Sequence, residues 1–224
     1  MENFERVEKP EKDLKCGLLG RKLGHSFSPQ IHASCAEYGY KLFEVEPENA
    51  DGFIRNGDYD CINVTIPYKE NAYRMCDVLS EAAAEMKSVN TIVRAKDGKI
   101  HGFNTDFKGF TEMLKKAGCD ANGKECVVLG SGGASKTCVY ALKKLNAGSV
   151  TVVSRSGDVN YENIYDVCEN AQIVINATPV GMYPNVDDSP VALSKFKKLE
   201  FAGDLIYNPS VTRFIAEAKE LGVK

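Results

Sequence analysis

The sequence predicts an α/β fold in two successive halves, the second of them built on a parallel sheet. Three observations predict it. From about residue 123 onward, apolar stretches of strand length alternate with stretches of helical spacing, the pattern that parallel strands with helical crossovers leave in a sequence. A glycine-rich run, Gly130-Ser131-Gly132-Gly133-Ala134-Ser135, falls where one such strand hands over to a helix. The chain has 224 residues, enough for one large domain or two small ones, each with a core.

The elements read in order as follows. Residues 15–19 form a short apolar run, a strand. Residues 29–38 follow Ser28, with Pro29 at the first helical position and Ser28 as the cap. Residues 40–45 and 61–66 read as strands, the latter stopped by Pro67, and residues 68–78 as a helix. Residues 91–95 and 99–103, joined by Asp97-Gly98, read as a hairpin. Phe107, Phe110, Met113, Leu114 and Ala117 recur at helical spacing until Gly118 ends the run, and the change of domain is expected along this helix, with domains of residues 1–106 and 107–224. Beyond it, strands are expected at 126–129, 150–153, 172–176 and 201–206, and helices at 134–145 and 213–221. On the last helix Phe214, Ile215, Ala218 and Leu221 share one apolar side, and Gly222 breaks it. The stretch 157–168 holds no full helix.

Bulk properties exclude several function classes. A net charge of −3 supplies no basic surface for nucleic acid or anionic membrane, and no apolar run approaches the ~20 residues of a spanning helix. Residues 1–15 are charged and lack an apolar centre, so they read as a polar leader and not as a signal peptide. The eight cysteines show neither C-x-x-C spacing nor a neighbouring histidine as zinc sites do. They read as reduced thiols of a cytoplasmic protein, several serving as small hydrophobes. No metal is expected.

The glycine-rich turn carries the first functional signal. Glycines let a phosphate approach the backbone, and the start of a helix supplies N–H donors. Ser135 stands where the usual dinucleotide fingerprint has Gly or Ala; the bland alternative is a tight turn without a ligand. At the end of the next strand, an acidic residue would accept from the 2′-hydroxyl of NAD, but the sequence has Ser154-Arg155-Ser156. A guanidinium flanked by hydroxyls suits a 2′-phosphate, which points to NADP. Asp158, three residues on, is the feature that would instead serve NAD.

In the first half the polar signals are individually weak. Ser26 and Ser28 sit two residues apart in a loop; from chemistry alone they read as a solvated hydroxyl and a helix cap. Thr65 and Lys69 lie at the end of a strand, Asn90 at the start of one, and Asp106 at the start of a helix. Each has an ordinary reading as turn, cap or surface charge. His25 reads as shaping the serine loop, His32 as lying on the first helix, and His101 as structural.

Together these segments resemble the shikimate dehydrogenase family. Residues 24–32, 63–69, 88–91, 102–109, 130–135, 176–182 and 204–209 are similar to that family, in its order and over nearly the whole chain. The resemblance implies an N-terminal α/β substrate domain followed by a Rossmann-like NADP-binding domain. It implies that Ser26 and Ser28 bind the substrate carboxylate, that Thr65, Asn90 and Tyr207 contact the ring and its hydroxyls, and that Lys69 and Asp106 form the catalytic pair. Gly130, Ser131, Gly132, Gly133 and Ala134, with Ser154, Arg155 and Ser156, would hold NADP. Thr178, Met182 and Leu205 would border its nicotinamide. The implied reaction is the reversible reduction of 3-dehydroshikimate by NADPH, in chorismate and aromatic amino acid biosynthesis, by a monomer or homodimer. The alternatives are an NAD-linked quinate or shikimate dehydrogenase and a non-catalytic regulatory relative.

The sequence departs from the family pattern at Ala33, where Asn is common, and at Ser154, where Asn or Asp is common. The family also continues with a glycine-containing turn and a return helix bearing a substrate-binding Gln. Lys224 precedes both, so an extension carrying that helix is expected.

Overall fold

The structure is a computed structural model and describes residues 8–24 and 26–224. The leader's first seven residues and His25 lie outside the described residues. The chain divides between Thr105 and Asp106 into two compact units.

The first unit is a six-stranded sheet of β1 (Cys16–Gly20), β2 (Tyr40–Glu44), β3 (Cys61–Val64), β4 (Val78–Leu79), β5 (Thr91–Arg94) and β6 (Ile100–Phe103), in the order β2-β1-β3-β5-β6-β4. β1 pairs parallel with β2 and β3, β5 runs antiparallel between β3 and β6, and β4 pairs parallel with β6. The carboxyl ends of β1, β3 and β6 and the amino end of β5 therefore share one end of the sheet. The helices are α1 (Ser28–Cys35), α2 (Pro47–Asn56), α3 (Lys69–Met75) and α4 (Glu81–Met86). Alternation sorts the strand residues: Ile62 and Val64 enter the core with Leu19, Ile54, Tyr68 and Ile92, while Cys61 and Asn63 take the other face and are less buried.

The five strands read from this half are present, with ends shifted by one or two residues. β3 stops at Val64 because the chain turns immediately: the Tyr68 N–H bonds the Thr65 carbonyl at 2.9 Å. The hairpin is closed by Gly98 at φ +78° and by the Lys99 N–H donating to Asp97 Oδ1 at 2.9 Å. One reading is corrected. Ser28 is not a cap; it lies inside α1, Phe27 holds the cap position without a side-chain bond, and the Ser28 N–H donates to Ser26 Oγ at 3.2 Å. α2, α4 and β4 were not anticipated.

The second unit comprises α5 (Asp106–Lys116), β7 (Glu125–Leu129), α6 (Gly133–Lys144), β8 (Ser149–Val153), α7 (Ile164–Val167), β9 (Ile173–Asn176), β10 (Phe201–Asp204) and α8 (Arg213–Glu220). Its sheet is parallel throughout, as expected, in the order β10-β9-β7-β8. β7 is buried on both faces. Cys126 and Val128 pack with Phe110, Leu114 and Leu142 of α5 and α6, and Val127 and Leu129 pack with Phe214 and Ala218 of α8. Phe214, Ile215 and Ala218 thus do face the sheet, but Leu221 lies past the helix and is exposed. Gly222, at φ +70°, follows. The stretch 157–168 contains only the four-residue α7. No helix among the described residues is long and apolar enough to cross a membrane.

Candidate functional site

The second unit holds a cavity where its sheet order reverses. From β7 the chain passes through α6 to β8 on one side and then returns to β9 on the other, so the sheet order reverses at β7. In open α/β sheets that reversal opens a crevice at the strands' carboxyl ends, and the glycine-rich turn leaves β7 there. A cavity of about 640 Å³ is lined by Gly130, Ser131 and Gly132 from this turn, Ser154, Arg155 and Ser156 after β8, and Thr178 after β9. Seven of the residues assigned to the cofactor by the sequence thus border one space.

Local geometry explains the residue types. Gly130 has φ +101°, and a Cβ there would meet the Ala177 carbonyl oxygen at 3.0 Å, so glycine is required by the fold. At Gly132 and Gly133 a Cβ would meet nothing within 4 Å; the protein's own packing does not demand glycine there, whereas close backbone approach by a phosphate does. Gly132 caps the twelve-residue α6 without a side-chain bond, which leaves first-turn N–H groups for an anion. After β8 the chain curls tightly, with the Ser154 N–H bonded to the Val159 carbonyl at 3.2 Å, and this turn presents exposed Arg155 beside the cavity. Asp158 is not among the lining residues, and its carbonyl accepts from Asn163 Nδ2 at 3.0 Å. The donor set therefore fits a phosphorylated dinucleotide.

Other assigned residues stand apart from that lining. Gly133 and Ala134 belong to the first turn of α6. Met182 is exposed, and Leu205 packs partly on the α5–α6 core. Tyr207 is 76% exposed. The sequence reading missed Tyr161, which lines the cavity and whose hydroxyl pKa is raised by burial, with Arg155 opposing. It also missed the support beneath Thr178. Fully buried Asn176 accepts from the Thr178 hydroxyl at 2.7 Å and donates to Asp204 Oδ1 at 3.1 Å, and Asp204 Oδ2 accepts from Thr212 at 2.7 Å. An Asn at the end of an apolar strand was the available signal.

In the first unit the assigned polar residues collect at the shared end of the sheet. Ser26 and Ser28 follow β1, Thr65 follows β3, Lys69 opens α3 and Asn90 precedes β5. Backbone bonds fasten them: the Thr65 N–H to the Leu19 carbonyl at 2.9 Å, the Val64 N–H to the Asn90 carbonyl at 2.8 Å, the Val89 N–H to the Lys69 carbonyl at 3.0 Å, and the Asn90 N–H to the Phe103 carbonyl at 2.9 Å. Asp106 opens α5, in the second unit. The His32 ring stacks on Tyr40 at 3.9 Å, and its Nδ1 is 2.8 Å from the Tyr38 hydroxyl. His101 lies buried in β6. Among the described residues no cluster of His, Cys, Asp and Glu could hold a metal ion.

A glycine turn at a sheet reversal, with an arginine and two serines facing it, defines a nucleotide-binding unit of the Rossmann type, preceded here by a separate α/β unit. Comparison with known proteins narrows the class. The family described as "Shikimate dehydrogenase substrate binding domain" matches residues 18–92. The chain is 36% identical to the shikimate dehydrogenase (NADP(+)) of Clostridium perfringens, covering 93% of this chain and 84% of that protein. A chorismate mutase/shikimate 5-dehydrogenase fusion protein from Clostridium acetobutylicum superposes with a TM-score of 0.84 at 38% identity, over 93% of this chain and 83% of that one. The Thermus thermophilus shikimate 5-dehydrogenase, solved with NADP(H) and shikimate, gives 0.82 at 31% identity, over 94% and 85%. The chain belongs to the shikimate dehydrogenase family.

Proposed function

We propose that this chain catalyses the reversible NADPH-dependent reduction of 3-dehydroshikimate to shikimate, with the first unit binding the substrate and the second the coenzyme. What most supports the reading is the gathering of Ser26, Ser28, Thr65, Lys69 and Asn90 at one end of the first sheet. Such a set offers hydroxyl and amide partners to a polyhydroxylated acid and one cation to the reacting oxygen. Ser26 and Ser28 receive the carboxylate, and Thr65, Asn90 and Tyr207 receive the ring and its hydroxyls. Gly130–Ala134 and Ser154–Ser156 take the phosphates, Arg155 pairing with the 2′-phosphate; Thr178, Met182 and Leu205 border the nicotinamide.

The bound coenzyme supplies the hydride. Alkoxide character then develops on the substrate oxygen. Lys69 and Asp106 form the catalytic pair: the Lys69 ammonium stabilises that charge and donates the proton, and the Asp106 carboxylate accepts from a ring hydroxyl. In the oxidative direction Lys69 takes the proton back. The protein acts in the cytoplasm on a small molecule.

Initial rates with shikimate or quinate, each with NADP or NAD, test the proposal. The highest kcat/KM is expected for shikimate with NADP. Preference for quinate and NAD would make the protein the NAD-linked relative, and no turnover with any pair would favour a non-catalytic role.

A further inference from the structure

Asn90, assigned above to the substrate ring, has its amide held by neighbouring groups. Asn90 is 7% exposed. Its Oδ1 accepts the Thr105 backbone N–H at 2.9 Å and the Thr91 hydroxyl at 3.0 Å, and its Nδ2 donates to the Thr105 hydroxyl at 3.1 Å. A backbone N–H can only donate, so this contact fixes which side of the amide is oxygen. The contacts continue outward. Asn63 Nδ2 donates to the Thr91 hydroxyl at 3.2 Å, and the Tyr40 hydroxyl donates to Asn63 Oδ1 at 2.7 Å.

Strand register makes this chain of contacts possible. Asn63 and Thr91 are direct partners across β3 and β5, on the face opposite the core, so their side chains lie side by side. Tyr40 begins β2, two strands away and on the same face as Asn63, and its phenol reaches across β1 to the Asn63 amide.

We propose that Tyr40, Asn63 and Thr91 are positioning residues. Their relay of side-chain hydrogen bonds holds the Asn90 amide with its oxygen turned into the protein, so that a ligand at this edge meets an N–H donor. The relay runs from Tyr40 in β2 to Asn90, the group that receives a ring hydroxyl oxygen. This inference rests on the shikimate dehydrogenase reading and extends it to specificity for a hydroxylated ring. Charge transfer plays no part in it: burial holds the Tyr40 phenol well above its ordinary pKa, so it stays a neutral donor.

The test compares Thr91→Val, which removes the hydroxyl at nearly constant volume, with Thr91→Ser, which keeps it. Thr91→Val should raise KM for shikimate roughly 3- to 10-fold, the usual worth of a neutral hydrogen bond, with kcat and KM for NADP within about twofold of wild type. Thr91→Ser should restore the wild-type KM. Tyr40→Phe should shift KM in the same direction by a smaller factor and add nothing on the Thr91→Val background, because it acts through the same contact. A cyclohexenecarboxylate without ring hydroxyls should inhibit wild type and Thr91→Val with equal inhibition constants. Active wild-type protein with an unchanged KM in Thr91→Val would overturn the relay alone. So would Thr91→Val weakening the hydroxyl-free acid as much as shikimate, since the effect would then be general damage. Wild-type protein that neither binds nor oxidises shikimate would overturn the functional reading and the relay with it.

Discussion

Lys69 and Arg155 are single cations at the ends of secondary-structure elements, and nothing in either residue type sets it apart from ordinary surface charge. Context gives each its weight. Lys69 opens α3 with its carbonyl tied to Val89, which fastens the start of that helix to the segment carrying Asn90. Lys69→Ala should lower kcat by roughly 10² to 10⁴, the usual worth of a general acid/base, with a smaller change in KM; steady-state rates check this, and a variant within threefold of wild type would remove Lys69 from the chemistry. Arg155 stands at the cavity beside the glycine turn, with a serine on either side. Arg155→Ala should cost NADPH binding about 1.5 kcal/mol, the lower end for hydrogen bonds to charged groups because the guanidinium is exposed. NADH should be nearly unaffected. Parallel titrations of the two coenzymes decide the matter, and equal losses would contradict a 2′-phosphate contact. The places of both, just after a strand, were legible in the sequence because each falls inside a motif. Tyr161 was not, since it sits in irregular chain with no periodicity or glycine signal around it.

At the level of elements, legibility follows burial. β7 and β9 are covered on both faces and read as unbroken apolar runs, and α5 shows a regular apolar stripe that Gly118, at φ +66°, terminates. α2 escaped notice because it buries only Ala50 and Ile54 within ten residues and carries an internal glycine. α4 escaped because six residues of Glu, Ala and Met make no periodic pattern; only Ser80, accepting the Ala83 N–H at 3.3 Å, marks its start. The same logic identifies α8 as an element held by its cap. Thr212 accepts the Ile215 N–H at 3.3 Å and donates to Asp204 at 2.7 Å while almost fully buried. Thr212→Ala should therefore cost about 2–3 kcal/mol, a lost cap together with a lost charge-assisted bond, whereas Thr212→Ser should be near neutral. Urea unfolding midpoints at constant slope measure the difference; equal midpoints for both variants would show that the cap contributes nothing.

The described residues form two α/β units, with one apolar cluster in the first and two in the second. The chain's eight cysteines are all free. Cys35 is exposed, whereas burial pushes the Cys126 and Cys138 thiols up to about 12. Because the thiolate is the reactive form, a maleimide at neutral pH should label Cys35 first and leave Cys126 and Cys138 unmodified until the chain unfolds; peptide mass spectrometry reads the order, and early labelling of Cys138 would contradict the second unit's core. The parallel sheet of that unit was legible from its alternating strands and helices. The order of the first sheet was not, since an antiparallel hairpin inserted among parallel strands leaves no periodic trace.

A chain that moves a hydride between shikimate and NADP, with Lys69 handling the proton, must pass the substrate's carbinol hydrogen to the coenzyme. The decisive measurement uses shikimate deuterated at the carbinol carbon that becomes the ketone, with the reduced coenzyme analysed by mass spectrometry. Deuterium is expected in the nicotinamide ring of NADPH in step with 3-dehydroshikimate formation, with a rate lowered at least a hundredfold in Lys69→Ala. NADPH formed without deuterium, or label transferred equally fast by wild type and Lys69→Ala, would contradict this chemistry.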